Sequence, residues 1–226
     1  MQKAAVKIRD QIKEHAAGML EIDDPTSLIL RDGKALAPDR RALTLAEVAL
    51  NSLHQQNQHQ IIASASHMSY KSPPPTAAQF AELSLDTQTG QIKVERLLMV
   101  VDCGRVINPL TAAGQVEGGM AQALGFTLTE DMMFDEDGNI TNASLDKYHV
   151  FKSNELPNMD VIFVQTDEPG GPFGAKSVSE ISIDGVAPAV VSAVHDAVGI
   201  WLRELPLYPD RVRQALADRK TLDKLN

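Results

Sequence analysis

Apolar residues near the start of the chain recur at steps of three and four. Ala5, Ile8, Ile12, Ala16 and Met19 follow this spacing, with charged residues between them. Because an α-helix has about 3.6 residues per turn, these side chains lie on one face of an amphipathic helix. The pattern therefore predicts that the chain begins within a helix whose apolar face packs on other structure.

A strand and a second helix follow. Leu28 to Leu30 is a short strand-like run, and Asp32 with Gly33 is typical of a turn. Thr44 and Glu47 have the spacing of a capping box, in which each side chain hydrogen-bonds the backbone N–H of the other residue. This pair predicts the start of the second helix.

The clearest internal boundary is a proline-rich passage at residues 70–75. Polar residues 55–60 precede it, and the successive prolines Pro73 to Pro75 exclude both helix and central strand. We therefore expect two domains. Residues 1–75 form an N-terminal α+β segment that completes a domain begun upstream, and residues 76–226 form a C-terminal α+β domain.

Strand-like runs dominate the first part of the second domain. Phe80 to Asp86 and Gln91 to Asp102 are joined by Thr87 to Gly90, whose glycine tolerates the positive φ of a hairpin turn. Asp135 to Gly138 turns the chain, and Met159 to Thr166 alternates as a strand does. The sequence predicts a β-hairpin and a further strand here.

Helical segments lie between and after these strands. Ala112 to Leu124 is rich in small residues and lacks proline, Val186 to Val198 has Pro188 in its first turn, and Pro209 to Leu216 forms a last helix. The combination predicts an α+β fold in which mixed sheets pack against helices.

Composition and charge exclude several classes of protein. The chain has 226 residues, of which 43% are hydrophobic, and a formal net charge of −9. A core of that size is inconsistent with disorder, and the acidic balance is inconsistent with nucleic-acid binding. The single cysteine, Cys103, fits a reducing cytoplasm. The charged first residues are neither a signal peptide nor a membrane span, so we expect a soluble cytoplasmic protein.

The first segment with possible chemistry is Gly114 to Gly119. Its glycines allow close backbone approach, and the amide of Gln115 can donate and accept hydrogen bonds at once. If this segment opens a helix, the helix N-terminus suits an anion or a polar heterocycle. The alternative is that the glycines let the helix pack tightly against a neighbour, and the residues alone favour that alternative.

A second glycine-rich loop runs from Gly170 to Glu180. Its Lys176 and Ser177 resemble the end of a nucleotide-binding P-loop, but Ala175 stands where a P-loop requires glycine. What remains is a loop with backbone donors, a cation and a terminal carboxylate. The alternative is an ordinary surface loop in which Glu180 caps the following segment.

Other polar residues have simpler interpretations. His149 and His195 lack a second ligand at helical metal spacing, so we expect each to pack or to lie on the surface. Cys103 lies in an apolar run and is more typical of a buried small hydrophobe than of a nucleophile.

The order of the motifs resembles the molybdopterin-binding subunit of the xanthine dehydrogenase and aldehyde oxidase family, in its C-terminal portion. The similarity covers essentially the whole chain. The matching segments are Phe80-Ala81-Glu82, Asp86 to Gly90, Val101 to Pro109, Gly114 to Gly119, Pro172 to Lys176 and Leu205 to Leu207.

The resemblance implies a role for each residue of the two glycine segments. By this resemblance, Gln115 hydrogen-bonds the molybdenum cofactor, and Lys176, Ser177, Val178 and Ser179 make further cofactor contacts. Glu180 is then the general base. The family more often has glycine at positions 177 and 179.

The resemblance also implies cofactors and partners. The cofactor is molybdopterin or its cytosine dinucleotide form, and the reaction hydroxylates an N-heterocycle or an aldehyde with water as the oxygen source. Partner subunits hold iron-sulfur clusters and FAD, and the remaining part of the molybdenum subunit completes the site around a small-molecule substrate. No nucleic-acid or membrane partner is expected. The alternative within the same fold is a noncatalytic remnant or assembly module.

Overall fold

The structure, a computed structural model, describes residues 1–54, 58–68, 71 and 73–225, and the side chains of the last helix only as far as Arg219. The chain divides into two compact units, Met1–Tyr70 and Lys71–Asn226. The polar stretch at 55–60 and the proline passage lie partly outside the described residues.

In its described residues, the first unit contains two helices and a small antiparallel sheet of three strands in the order β1-β2-β3. Its elements are α1 (Gln2–Leu20), a short 3-10 turn (Pro25–Ser27), β1 (Ile29–Arg31), β2 (Lys34–Leu36), β3 (Ala42–Thr44) and α2 (Leu45–His54).

The apolar face predicted for α1 is buried only toward its C-terminal end. Ala16 is completely buried with Leu28, Ala35 and Val48, whereas Ala5 is exposed. The predicted strand and turn are confirmed. Asp32 and Gly33 both have positive φ, 49° and 72°, which is the conformation of a two-residue hairpin turn between right-twisted strands.

The predicted capping box at the start of α2 is confirmed. The backbone N–H of Glu47 donates to Thr44 Oγ1 at 3.1 Å, and the backbone N–H of Thr44 donates to Glu47 Oε2 at 2.7 Å. These bonds satisfy two backbone donors that the first helical turn otherwise leaves unpaired. Hydrogen bonds from Thr44 also lower the pKa of the Glu47 carboxyl group.

We expect Thr44→Ala to lower the free energy of unfolding by about 1 kcal/mol, because one backbone donor of α2 loses its side-chain acceptor. Equilibrium denaturation in urea measures the change. Ser66→Ala is the matched control, since the exposed Ser66 hydroxyl makes no hydrogen bond within the described residues. Equal stability of the Thr44→Ala variant and the control would show that the cap contributes nothing.

The second unit, as far as the structure describes it, packs four helices against a three-stranded sheet. Its elements are β4 (Thr76–Leu85), β5 (Ile92–Asp102), α3 (Pro109–Leu128), β6 (Asn158–Phe163), α4 (Ile181–Asp184), α5 (Val186–Val198) and α6 (Pro209–Leu225). The central strand β5 pairs antiparallel with β4 and parallel with β6. The predicted α+β class with a mixed sheet and packed helices is therefore confirmed.

The β4–β5 hairpin matches the sequence prediction, although β4 begins at Thr76, directly after Pro75. Gly90 has a φ of 79°. The turn is further held by Asp86, whose carboxylate accepts from the backbone N–H of Gln88 at 2.8 Å.

One face of the sheet forms the core of this unit. Leu97, Met99 and Val101 of β5 are completely or almost completely buried against α3 and α5. The stretch Ile181–Val198 is long and apolar enough to span a membrane by length and composition alone. It runs through α4 and α5 and places Val186, Val190 and Val194 in the core.

The start of α3 differs from the prediction. Asn108 is its N-cap, accepting from the backbone N–H groups of Leu110 and Thr111, and Pro109 occupies the first turn. The segment Gly114 to Gly119 therefore lies inside the helix and does not open it. An amide and a proline at these two positions are strong start signals, and they outweigh the glycines that follow.

Candidate active site

The end of β5 and the start of α3 form one side of a cavity. Strand β5 ends at Asp102, and the chain then turns through Gly104, whose φ is 70°. The first turns of α3 follow, with Asn108, Thr111 and Gln115 spaced so that they face the cavity.

The second glycine-rich loop forms the opposite side. Gly104 and Ala175 make an isolated antiparallel bridge. The backbone N–H of Arg105 donates to the carbonyl oxygen of Gly174 at 2.9 Å, and the backbone N–H of Lys176 donates to the carbonyl oxygen of Cys103 at 2.7 Å. These bonds place the loop beside α3 although about 60 residues separate them in sequence.

The cavity between these two segments has a volume of about 510 Å³, within the range typical of small-molecule sites. Four of the sequence-predicted cofactor residues line it: Gln115, Lys176, Val178 and Ser179. The other lining residues are Cys103, Arg105, Val106, Ile107, Asn108, Thr111, Ala112 and Ala175.

Gln115 connects the two sides directly. Its Nε2 atom donates to the carbonyl oxygen of Ser179 at 2.9 Å. The two segments to which the resemblance assigns cofactor contacts therefore lie together in the structure. The amide oxygen of Gln115 makes no hydrogen bond within the described part of the chain, so it remains available as an acceptor.

Lys176 is occupied by an ion pair. Its Nζ atom lies 2.8 Å from Asp102 Oδ2, and the two side chains are only 12% and 20% exposed. Asp102 Oδ1 also accepts from the backbone N–H of Gly104 at 2.8 Å and from Thr166 Oγ1 at 2.7 Å. Lys176, followed by these two donors, lowers the pKa of the Asp102 carboxyl group to about 2.

Glu180 lies at the N-cap position of the short helix α4 and is exposed. Its side chain makes no capping hydrogen bond, so the alternative in which Glu180 caps the next segment is wrong. Glu180 and Ser177 do not line the cavity, but they are sequence neighbours of residues that do. Within the described residues, the Glu180 carboxylate has no hydrogen bond or ion pair, which leaves it available to accept a proton.

The loop also presents backbone donors. Among the described residues, no acceptor pairs with the backbone N–H groups of Ser177, Val178, Ser179 and Glu180. Unpaired N–H groups in succession attract negatively charged or oxygen-rich ligands.

Sequence reasoning gave no role to Asp102 or Arg105. Both stand in the Val101 to Pro109 segment, and the position of Asp102 at the end of a buried strand is the signal that could have identified it. Cys103 is buried as predicted, and burial raises the pKa of its thiol.

The histidines behave as predicted. The His195 ring stacks on Trp201 with centroids 4.1 Å apart, and His149 Nε2 lies 3.4 Å from Glu155 Oε2. In residues 1–54, 58–68, 71 and 73–225, no group of three or more His, Cys, Asp or Glu side chains is arranged to hold a metal ion.

Comparison with known proteins points to one family. Residues 1–157 match the molybdopterin cofactor-binding domain. The chain is 32% identical over 219 residues to the probable hypoxanthine oxidase of Escherichia coli strain K12, covering 94% of this chain and 22% of that protein. It is 32% identical over 216 residues to the xanthine dehydrogenase molybdenum-binding subunit of Escherichia coli O157:H7, covering 94% of this chain and 29% of that subunit.

A solved structure shows the same similarity in three dimensions. Quinoline 2-oxidoreductase from Pseudomonas putida 86 superimposes with a TM-score of 0.76 and 25% identity, over 95% of this chain and 29% of that one. The chain thus spans less than a third of the length of each of these relatives.

Proposed function

Because this chain belongs to the family of molybdopterin cofactor-binding domains, in the branch of xanthine dehydrogenase and aldehyde oxidase molybdenum-binding subunits, we propose that it supplies one side of a molybdenum hydroxylase active site. Gln115 and the loop from Lys176 to Ser179 hold the cofactor, and Glu180 is the general base. The observation that supports this most directly is the hydrogen bond from Gln115 to Ser179, because it brings two distant segments to one cavity.

The residues around the cavity fit a cofactor held by hydrogen bonds. The polar groups consist of the Gln115 amide, the hydroxyl group of Ser179 and unpaired backbone N–H groups, whereas the Thr111 hydroxyl group already donates to the carbonyl oxygen of Asn108. No thiolate, imidazole and carboxylate ligands gather there among the described residues. A metal bound through an organic cofactor needs no such ligands from the protein. A Cβ atom at Gly114 or Gly118 would meet nothing within 4 Å, so this part of α3 is open to a ligand.

The chemistry proposed for this chain is proton transfer. The cofactor, when bound, supplies the two-electron redox step. The Glu180 carboxylate takes a proton from the water-derived oxygen that attacks the substrate carbon, which increases the nucleophilicity of that oxygen at the moment of attack.

The finer assignments rest on the resemblance of the sequence motifs to the family. We propose a substrate that is an N-heterocycle or an aldehyde, and a cofactor that is molybdopterin or its cytosine dinucleotide form. We further propose that the rest of the molybdenum subunit completes the site and that partner subunits with iron-sulfur clusters and FAD carry electrons away. A cytoplasmic location is consistent with the single buried cysteine.

We expect Gln115→Ala to weaken cofactor retention in the assembled complex, because the substitution removes the acceptor and releases the tie to Ser179. Losing one or two hydrogen bonds predicts roughly a 3- to 30-fold weaker hold. Molybdenum per subunit after prolonged dialysis measures it. Gln88→Ala is the matched control, since the Gln88 side chain is exposed and lies in the β4–β5 turn. Unchanged molybdenum retention in Gln115→Ala would contradict the assignment.

A further inference from the structure

We propose that Asp102 and Lys176 are positioning residues. Their ion pair fixes the segment from Gly174 to Glu180 against the end of β5, and Lys176 acts on the active site through this pair. The inference rests on the proposed function, because the segment in question carries the general base.

The Asp102 end of the pair is anchored in the core. Asp102 is the last residue of β5, and the preceding Val101 and Met99 are completely buried. Its carboxylate is held further by the backbone N–H of Gly104 and by Thr166. These contacts therefore fix the position of this carboxylate without a contribution from Lys176.

The loop end of the pair lacks such support. From Lys176 to Glu180 the chain forms neither helix nor strand. Apart from the ion pair, its hydrogen bonds to other described residues of the unit are those of the Lys176 backbone to Cys103, of Gln115 to Ser179 and of the Ile183 backbone N–H to the carbonyl oxygen of Glu180. The side chain of Val178 packs against the core but is only partly buried. The Lys176 ammonium group adds a charge-assisted bond at 2.8 Å that is largely shielded from water. Such bonds are among the strongest that a side chain makes.

The cost of separating the two charges also keeps the Lys176 ammonium group beside Asp102. A mostly buried ammonium group that turned toward a ligand would leave the Asp102 carboxylate without its cation, and an uncompensated charge at 20% exposure is strongly unfavourable. Removing either partner is therefore expected to loosen the loop in the same way.

Hydrogen exchange of the 226-residue chain tests the pair without any cofactor. The reporters are the backbone amides of Arg105 and Lys176, since both are bonded across the two segments. We expect Lys176→Met and Asp102→Asn each to speed their exchange roughly 10- to 100-fold. The double variant should be no faster than the faster single variant, because both changes remove one interaction.

The matched control is Lys93→Met. Lys93 pairs with Glu95 at the same 2.8 Å, but the two side chains are 73% and 46% exposed, and exposed pairs contribute little. Lys93→Met should leave the exchange of Arg105 and Lys176 unchanged. Lys176→Arg should retain most of the protection. If Lys176→Met fails to fold, Thr166→Val, which removes one hydrogen bond from Asp102, should give a smaller increase of the same sign.

The assembled complex provides the second measurement. Lys176→Met and Asp102→Asn should lower kcat by similar factors and should change the molybdenum content to the same extent, because both loosen the same loop. Unchanged exchange in both variants would overturn the proposal, as would loss of molybdenum in Lys176→Met alone with exchange as in the wild type. A wild-type complex that contains no molybdenum would instead refute the proposed function, and the exchange experiment would still decide whether the ion pair positions the loop.

Discussion

Glu180→Gln in the assembled complex is expected to lower kcat by roughly 10² to 10⁴, the usual contribution of general-base catalysis. Glutamine keeps the size of the side chain and its capacity for hydrogen bonds but cannot accept the proton. The Glu180 carboxylate has no partner among the described residues and makes no capping bond. Its replacement therefore removes no contact from the loop or from α4. Molybdenum content should therefore equal that of the wild type.

Asp184→Asn is the matched control. Asp184 is an exposed carboxylate at the other end of the same short helix, so its neutralisation should leave turnover unchanged. Steady-state kinetics and metal analysis on the same preparation decide the matter. If a fully loaded Glu180→Gln complex kept more than about a tenth of its activity, well short of the loss typical of a missing base, the assignment of the base would be wrong. The noncatalytic alternative would then be favoured.

Together with Gln115→Ala, this experiment separates cofactor binding by Gln115 from proton transfer by Glu180. The Gln115 variant should lose cofactor first and activity as a consequence. The Glu180 variant should lose activity while it retains cofactor. An equal loss of cofactor in both variants would indicate that Glu180 belongs to the binding contacts and not to proton transfer.

Local signals in the sequence were sufficient for much of the fold. The Thr44 and Glu47 spacing located the start of α2, and Gly90 located the β4–β5 hairpin, because in each case the interaction lies within a few residues. Strands β2 and β3 were not predicted. Each has only three residues, too few for alternation to distinguish a strand from a loop.

The helix predicted over Ala112 to Leu124 is present within α3, but its predicted start at the glycines was wrong. Glycines at 114, 118 and 119 suggested a helix start, yet Val116 and Met120 are buried in the core and hold this stretch as the middle of a long helix. The packing alternative holds for Gly119, where a Cβ atom would overlap Ser182 Oγ, and for Gly125, where it would overlap the Glu130 side chain. Gly114 and Gly118 face open space.

The site itself was only partly accessible from sequence. Its residues could be named from the order of the motifs, but the pairing of Lys176 with Asp102 joins positions 74 residues apart. No local period or spacing contains that information. Lys176 stood out in sequence as a free cation, whereas the structure shows an ammonium group already neutralised by a carboxylate.

Substitution of Gly104, which lies two residues after Asp102 and contacts the loop that carries Lys176, gives the second large expected effect. Gly104 has a φ of 70°, and a Cβ atom there would overlap the carbonyl oxygen of Gly174 and lie 2.8 Å from the backbone nitrogen of Lys176. Backbone atoms on both sides of the contact cannot rotate away as a side chain can. The hydrogen bonds from Arg105 to Gly174 and from Lys176 to Cys103 join the same two segments. The loop must therefore move outward to make room for an added methyl group.

Gly104→Ala should therefore lower the free energy of unfolding by on the order of 2 to 5 kcal/mol, combining strain at positive φ with overpacking. Gly138→Ala isolates the first effect. Gly138 has a φ of 82° but nothing within 4 Å of its Cβ position, so its substitution should cost only about 1 to 2 kcal/mol.

In the assembled complex, an outward shift of the loop displaces Glu180, and a displacement of about 1 Å can cost roughly 100-fold in kcat. Urea denaturation of the two variants and kinetics of the complexes measure both consequences. Equal destabilisation by Gly104→Ala and Gly138→Ala would mean that the loop yields without cost, and wild-type turnover in Gly104→Ala would mean that the contact between Gly104 and the loop does not determine the position of Glu180.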